Sequence, residues 1–284
     1  MTTLQLPTTE LLELRREGWV LHLTLNRPEV RNAMSFAMID EIIAVFDAVA
    51  DTQDIRVVVL RGAGGHFCAG GDIKDMAQAR MLPAGEQPGG PDDPLAIGNR
   101  KFGTMLTLVE DAAQAVVVVV EGAAMGGGFG LACVSDVTLT HADASYRLPE
   151  TSLGIPPAQI APFIVRRVGL TQARRLAVTG GRLDGRQAKA IGLAHEVFET
   201  SEALDAGLAK VLDEIRKCAP TAVAVTKDLV ISAVEEELED LLDRGAQEFA
   251  KAIRSAEGTE GTMAFVQKRE PSWATPPSAG EKSE

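Results

Sequence analysis

Two glycine-rich stretches and one glutamate hold the residue types in this chain that could do chemistry. The first stretch is Gly64-Gly65-His66-Phe67-Cys68-Ala69-Gly70-Gly71-Asp72-Ile73-Lys74, and the second is Met125-Gly126-Gly127-Gly128-Phe129. Small residues let a ligand approach the main chain closely, and N–H groups at the start of a helix favour negative charge. One such turn alone is a tight turn and no more. Two of them, each leading from a strand to a helix, can aim main-chain N–H groups at a single oxygen, which is how an oxyanion hole is built. A thioester carbonyl becoming an enolate is an oxygen of that kind. Glu150, in Leu148-Pro149-Glu150-Thr151, is a carboxylate that could move a proton if enclosed, because enclosure raises its pKa. Its local sequence by itself favours a solvated glutamate in a polar loop.

Other reactive residue types carry less. His66 stands beside the first turn, but nothing in the sequence pairs it with a nucleophile or a metal, and it reads as a loop residue. Cys68, Cys133 and Cys218 lie far apart, so no disulfide framework or zinc spacing can be built from them and a reducing compartment is expected. Cys68 and Cys133 read as small buried hydrophobes, and Trp19 and Trp273 as packing residues.

Strand-like and helix-like segments alternate over the first two hundred residues and would position these groups. Residues 20–25 (VLHLTL) alternate with period two and read as a strand. Ser35 can cap a helix running to Val49, with Phe36, Ile39, Ile43 and Phe46 as its apolar stripe. The β-branched runs 56–60 and 114–120 read as buried strands, and 136–140 and 194–198 as further strands. Beyond residue 200 the strand signal vanishes, and 201–217, 220–234 and 238–253 read as helices. The expected organisation is an α/β core over 1–200, a helical region over 201–275 and a tail, 276–284, of disordered composition. The Gly/Pro-rich stretch 82–94 is also expected to be loosely ordered. Leu204, Leu208, Val211, Leu212 and Ile215 recur at helical spacing, which fits either a subunit contact or packing on the chain's own core.

A net charge of −12 argues against nucleic acid and anionic membranes as partners, while leaving phosphate binding at helix N-termini open. The first ten residues have neither a basic nor an apolar leader region, and the longest apolar run, 115–120, stops at Glu121, far short of a bilayer span. A cytoplasmic protein is expected.

Six motifs, in order along nearly the whole chain, resemble those of the crotonase (enoyl-CoA hydratase/isomerase) superfamily. They are 25–34 (LNRPEVRNAM), 67–76 (FCAGGDIKDM), 121–131, 150–154, 180–192 and 265–273 (FVQKREPSW). The resemblance implies an α/β fold made as a spiral of ββα units, with C-terminal helices that build a homotrimer, often paired into a hexamer. It implies an acyl-CoA thioester as substrate, with coenzyme A present only as part of that substrate, and neither a separate cofactor nor a metal. It makes the N–H groups of Gly71 and Gly127 the oxyanion-hole donors and Glu150 the residue that handles the proton at the reacting carbon. Arg31 matches an arginine that contacts coenzyme A phosphates, or is an exposed loop arginine. Ala33, Ala69, Asp72, Ile73 and Lys74 match the adenine and pantetheine channel, and Asp72 could also cap a helix. Lys268 and Phe265 could reach a neighbouring subunit's ligand, although packing of a terminal helix is the expectation for Phe265.

The departure from the pattern is at Gly130, where typical hydratases carry a second glutamate. Two carboxylates normally hold the attacking water. A single one also resembles the Δ3,Δ2-enoyl-CoA isomerases, and the loss makes a non-catalytic acyl-CoA binder thinkable. Dienoyl-CoA isomerases, which use acidic residues where this chain has Gly130 and Ala158, match less well. The stretches 126–136 (GGGFGLACVSD) and 148–163 (LPETSLGIPPAQIAPF) resemble isohexenylglutaconyl-CoA hydratases of acyclic-terpene catabolism, which act on a branched, carboxylate-bearing enoyl-CoA. A helical glycine costs up to ~1 kcal/mol relative to alanine, so Gly130 is expected to make room for a bulky acyl branch. The wall of the acyl pocket is expected from 76–98 and the helix after it.

Overall fold

The computed structural model describes residues 4–83 and 88–274; the tail 276–284 and part of the stretch 82–94 lie outside the described residues. A hairpin opens the fold, β1 (Leu12–Glu17) running antiparallel to β2 (Val20–Leu25), with Gly18 in the left-handed turn conformation at φ 59°. The polypeptide then forms α1 (Phe36–Val49) and β3 (Val57–Gly62), and after α2 (Ile73–Ala79) and α3 (Pro94–Glu110) comes β4 (Ala115–Val120). The short β5 (Ala123–Met125) leads into α4 (Gly127–Cys133), followed by β6 (Val137–His141) and β7 (Ser145–Arg147). Next come α5 (Ala161–Thr179), interrupted at Gly169, β8 (Arg182–Asp184), α6 (Gly185–Ala190) and β9 (Glu196–Phe198). Four helices finish the described chain: α7 (Ser201–Arg216), α8 (Pro220–Ser232), α9 (Leu238–Arg254) and α10 (Ala256–Gln267).

The strands make a six-stranded sheet in the order β1-β2-β3-β4-β6-β9, parallel from β2 onward, and a three-stranded sheet in the order β5-β7-β8. The valine run of β4 does not alternate because both of its faces are covered. Val116, Val118 and Val120 join the core beneath α1, α3 and α4, while Val117 and Val119 join a second core closed by Leu204 and Leu208 of α7. Each valine so enclosed contributes about 1.5–3 kcal/mol relative to an exposed one. The spacing of 204–215 had left two uses open for the apolar face of α7; that face packs on the chain's own sheet.

Ser35 caps α1 as expected, its hydroxyl accepting the N–H of Met38 at 3.1 Å. The buried stripe is Met38, Ile39, Ile42, Val45, Phe46 and Val49, with Phe36 and Ile43 at its margin, so the face is rotated from the one read in sequence. The strands not anticipated are β1, an edge strand with a charged outer side, and β5, β7 and β8, too short to display a period. Helix α10 lies within the region expected to be helical, although Gly258 and Gly261 interrupt its apolar pattern. Trp19 and Trp273 pack as expected: the Arg56 guanidinium lies 5.0 Å over the Trp19 ring, and Trp273 Nε1 donates to Lys217 O at 3.1 Å. Cys68 and Cys133 are buried, and burial pushes both thiols up to about 12, which makes them inert.

Helix α8 is tied to the sheet by Lys227, whose ammonium donates to Asp136 Oδ2 at 2.9 Å. Neither α8 nor α9 buries a residue within the chain, and Val230, Leu238, Leu242, Phe249 and Val266 are exposed. Phe265 was expected to pack and does not do so within the chain, where it is 85% exposed while α10 packs on α9.

Candidate active site

The first glycine turn is held in place by residues that precede it by some forty positions. Asn32, 0% exposed, accepts the Arg27 N–H on Oδ1 at 2.9 Å. Its Nδ2 donates to Ala63 O at 2.9 Å and His66 O at 2.7 Å. Arg27 donates to Ala33 O at 2.6 Å and pairs with Asp72 Oδ2 at 2.9 Å, while Asp72 Oδ1 accepts the N–H of Lys74 and so caps α2. Burial pushes the Asp72 carboxyl up, but the Arg27 guanidinium and the Lys74 N–H outweigh it and leave the group below its ordinary value. Met34 then brackets Gly71: its N–H donates to Gly70 O at 2.7 Å and its carbonyl accepts from the Asp72 N–H at 2.9 Å. The Gly71 N–H, lying between these two bonds, donates to no group among the described residues.

The second turn is stitched to the first. Cys68 donates to Ala123 O at 2.8 Å, and Met125 donates back to Cys68 O at 2.9 Å. His66 Nδ1 accepts the Ala123 N–H at 3.1 Å, so this residue, read in sequence as a plain loop position, braces the two turns and carries its ring proton on Nε2. Gly126, at φ 47° and ψ −110°, is in a conformation that only glycine adopts freely, and it turns the chain into α4. Gly127 is the first residue of that helix, and its N–H is one of the donors a helix start leaves over. The two turns nearly touch: a Cβ on Gly70 would lie 3.7 Å from the nitrogen of Gly127.

Glu150 arrives from β7 through Leu148 and Pro149 and opens a short 3-10 turn, Glu150–Leu153. Its carboxylate reaches over the second turn, where a Cβ on Gly126 would lie 2.6 Å from Oε1. Oε2 is buried and has no hydrogen-bond partner, and burial raises the carboxyl above its ordinary value. Glu150 is half-buried and this oxygen is shut off from solvent, which departs from the local-sequence expectation of a fully solvated loop carboxylate. Met76 of α2 reaches Gly71, and Phe102 of α3 reaches Gly127, so the expected wall segments do border the turns. The room expected at Gly130 is not open: a Cβ there would lie 2.5 Å from Ile160 Cγ2.

Gly71, Gly127 and Glu150 are thus brought together, along with Ala69, whose N–H donates to Arg31 O at 2.9 Å. Arg31 is exposed, in the left-handed conformation at φ 51°, and its guanidinium has no partner among the described residues. Ala33 is half-buried, and Ile73 and Lys74 are exposed on the first turn of α2 beside the site. The Asp72 carboxylate is spent on Arg27 and the helix cap. Lys268 ends α10 and is not brought to the turns within one chain. Arg27, Asn32, His66 and Ile160 are the positions sequence reading missed or underrated; the buried asparagine inside an Arg-Asn-Ala string was the one available signal. Among the described residues no group of three His, Cys, Asp or Glu could hold a metal, and no helix is long and apolar enough to cross a membrane.

Two strand-to-helix turns with unspent N–H groups beside an enclosed carboxylate are the constellation expected of an enzyme that stabilises a thioester enolate. Residues 15–276 match the enoyl-CoA hydratase/isomerase family, and the chain belongs to it. Among curated relatives it is similar to the peroxisomal Delta(3,5)-Delta(2,4)-dienoyl-CoA isomerase of Arabidopsis thaliana, 29% identical, covering 96% of this chain and 99% of that one. It is also similar to the carnitinyl-CoA dehydratase of Proteus mirabilis, 31% identical, covering 92% and 97%. Among solved structures, Pseudomonas aeruginosa AtuE superposes with a TM-score of 0.90 at 55% identity, over 94% of this chain and 100% of that one.

Proposed function

We propose that this chain is a cytoplasmic enoyl-CoA hydratase that uses one carboxylate, Glu150, and acts on a branched, isohexenylglutaconyl-like thioester. The observation that carries the reading is Glu150 itself: a buried carboxylate oxygen without a partner, poised over the turn whose Gly127 N–H is also unspent. The thioester oxygen would accept from Gly71 and Gly127. Water attacks C3 as Glu150 takes its proton, and the C2=C3 electron pair moves to the thioester oxygen as an enolate. Glu150 then returns the proton to C2 as the carbonyl re-forms, so one water is added and the base is regenerated. Each N–H donor of this kind is worth ~3 kcal/mol of transition-state stabilisation. The free guanidinium of Arg31 suits a coenzyme A phosphate, and Ala33, Ala69, Ile73 and Lys74 would border the same ligand. The branched, carboxylate-bearing substrate is supported by the likeness in 126–136 and 148–163, with the substrate carboxylate orienting the water that no second glutamate holds. The exposed apolar residues of α8, α9 and α10 support assembly into a trimer or hexamer.

A second reading, Δ3,Δ2-enoyl-CoA isomerisation, is favoured by the single carboxylate: one base suffices to carry a proton from C2 to C4. A non-catalytic binder would have no use for a buried carboxylate oxygen left unpaired, which costs stability. Incubation with a panel of 2-enoyl- and 3-enoyl-CoA thioesters followed by mass spectrometry separates the three. Gain of one water mass supports hydration, a moved double bond at constant mass supports isomerisation, and binding without turnover defeats both.

A further inference from the structure

Helix α4 starts with Gly127 and carries Gly130 one turn beyond Gly126. Position 130 is the one at which typical hydratases of the resembled family carry their second carboxylate, so what surrounds it decides whether this chain could hold one. The space there is already filled from elsewhere in the chain. A Cβ on Gly130 would meet Ile160 Cγ2 at 2.5 Å and Ile160 Cβ at 3.3 Å, with Leu106 Cδ1 behind it at 3.5 Å. The obstructing methyl cannot swing clear as the tip of a long chain would, because it is bonded directly to Cβ of a residue stiff at χ1. Ile160 is itself fixed: it is 3% exposed and its carbonyl accepts the N–H of Ile164 at the start of α5. Leu106, from α3, is fully buried.

We propose that Ile160 is a specificity-determining residue of this site, acting with Gly130 as a unit. Its Cγ2 methyl stands where the Cβ of a second acid would have to stand, and with Leu106 it fills the space around position 130 with hydrocarbon instead of a water-holding group. The site therefore favours thioesters that need only one protein carboxylate, and a second cannot be introduced by changing residue 130 alone. The proposal rests on the reading of Glu150 as the base, given above, and adds the residue that keeps it solitary.

A stability cycle and an activity cycle test it. In the native background Gly130→Ala drives its Cβ into Ile160 and lowers Tm by at least about 3 °C, although alanine is the better helix former. In an Ile160→Ala background the methyl is gone and only the Cβ contact at 3.3 Å remains, so the same substitution lowers Tm by clearly less or raises it. A loss as large in the Ile160→Ala background as in the native one would remove Ile160 as the occupant. For activity, Gly130→Glu alone should leave crotonyl-CoA hydration at or below the native rate. The Gly130→Glu/Ile160→Ala protein should exceed Ile160→Ala by roughly tenfold or more in kcat/KM, a modest share of what a placed acid–base supplies. Should the glutamate variants fail to fold, Gly130→Ser/Ile160→Ala places a hydroxyl at the same point and is read in the same assay. A gain from Gly130→Glu alone, or none from either double variant, overturns the assignment. A native protein that turns over no enoyl thioester would instead defeat the proposed function, while the Tm cycle still judges Ile160.

Discussion

Replacing Glu150 with glutamine separates its chemical role from its cost to the fold, and the two should move in opposite directions. Oε2 is buried without a partner, and burial holds the carboxyl above its ordinary value of 4.5. A buried polar group left unsatisfied costs about 1–3 kcal/mol, and more when charged. Glutamine has nearly the same shape and still leaves an atom unpaired, so the substitution relieves only the part that depends on charge, which solvent screening of this half-buried side chain holds to at most about 1 kcal/mol. For a chain of this size that is at most about 2–4 °C in Tm. The sign with pH follows from the direction of the shift. The folded carboxyl holds its proton more tightly than the unfolded chain does, so its contribution is fully present below the unfolded value of 4.5 and is lost as pH rises through the raised folded value. The variant should therefore melt higher than the native protein at pH 7, and the advantage should vanish as pH falls to 4.5 and below. Turnover should fall by about two to four orders of magnitude with coenzyme A affinity close to native. Thermal melts at the two pH values, steady-state kinetics and a coenzyme A inhibition constant make the assay. Near-native turnover would end the assignment of Glu150 as the base. A lower Tm at pH 7 would mean that the carboxylate is anchored, and the reasoning from an unpartnered oxygen would be wrong.

Asp72→Ala breaks a buried pair with Arg27 and removes the cap of α2, so melts should show a loss of about 3–5 kcal/mol. Because the folded-state value of Asp72 is depressed, the native protein keeps this contribution above 3.8 and loses it as pH falls, and the variant's deficit should shrink in acid. Arg31→Met should weaken coenzyme A binding by about tenfold or more, the worth of a charge-assisted hydrogen bond, and leave Tm within about 1 °C because the guanidinium has no partner in the chain. Sedimentation should give three or six times the chain mass. Phe249→Asp, on the exposed side of α9, should shift the native protein toward smaller species, whereas a monomer at micromolar concentration for the native chain would refute assembly through these helices.

What could be read in the sequence is what a segment declares by itself. The alternation of 20–25, the serine before α1 and the valine run of β4 each name their element because period, cap and β-branching are local properties. The three-residue strands β5, β7 and β8 exist only by virtue of their partners, and no stretch so short carries a period. The face of α7 and the exposure of Phe265 are likewise decided by what stands opposite, and helical spacing has no information about that.

The same distinction runs through the site. The two turns and Glu150 were visible as residue types, but the reason their groups are available is not local. The Gly71 N–H is left over because Met34, thirty-seven positions earlier in the chain, takes the groups on either side of it. Glu150 is enclosed because it reaches across to Gly126, which comes from another strand-to-helix turn. Gly130 gives the sharpest case. Read as a letter, it is an absent carboxylate and an open space, and from that reading restoring a glutamate should restore a hydratase. In the folded chain the space belongs to Ile160, so the missing acid and the isoleucine are two sides of one packing choice. A substitution judged at position 130 alone would then fail for a reason that lies at Ile160, just before α5, and only the paired change can ask whether this scaffold tolerates a second carboxylate.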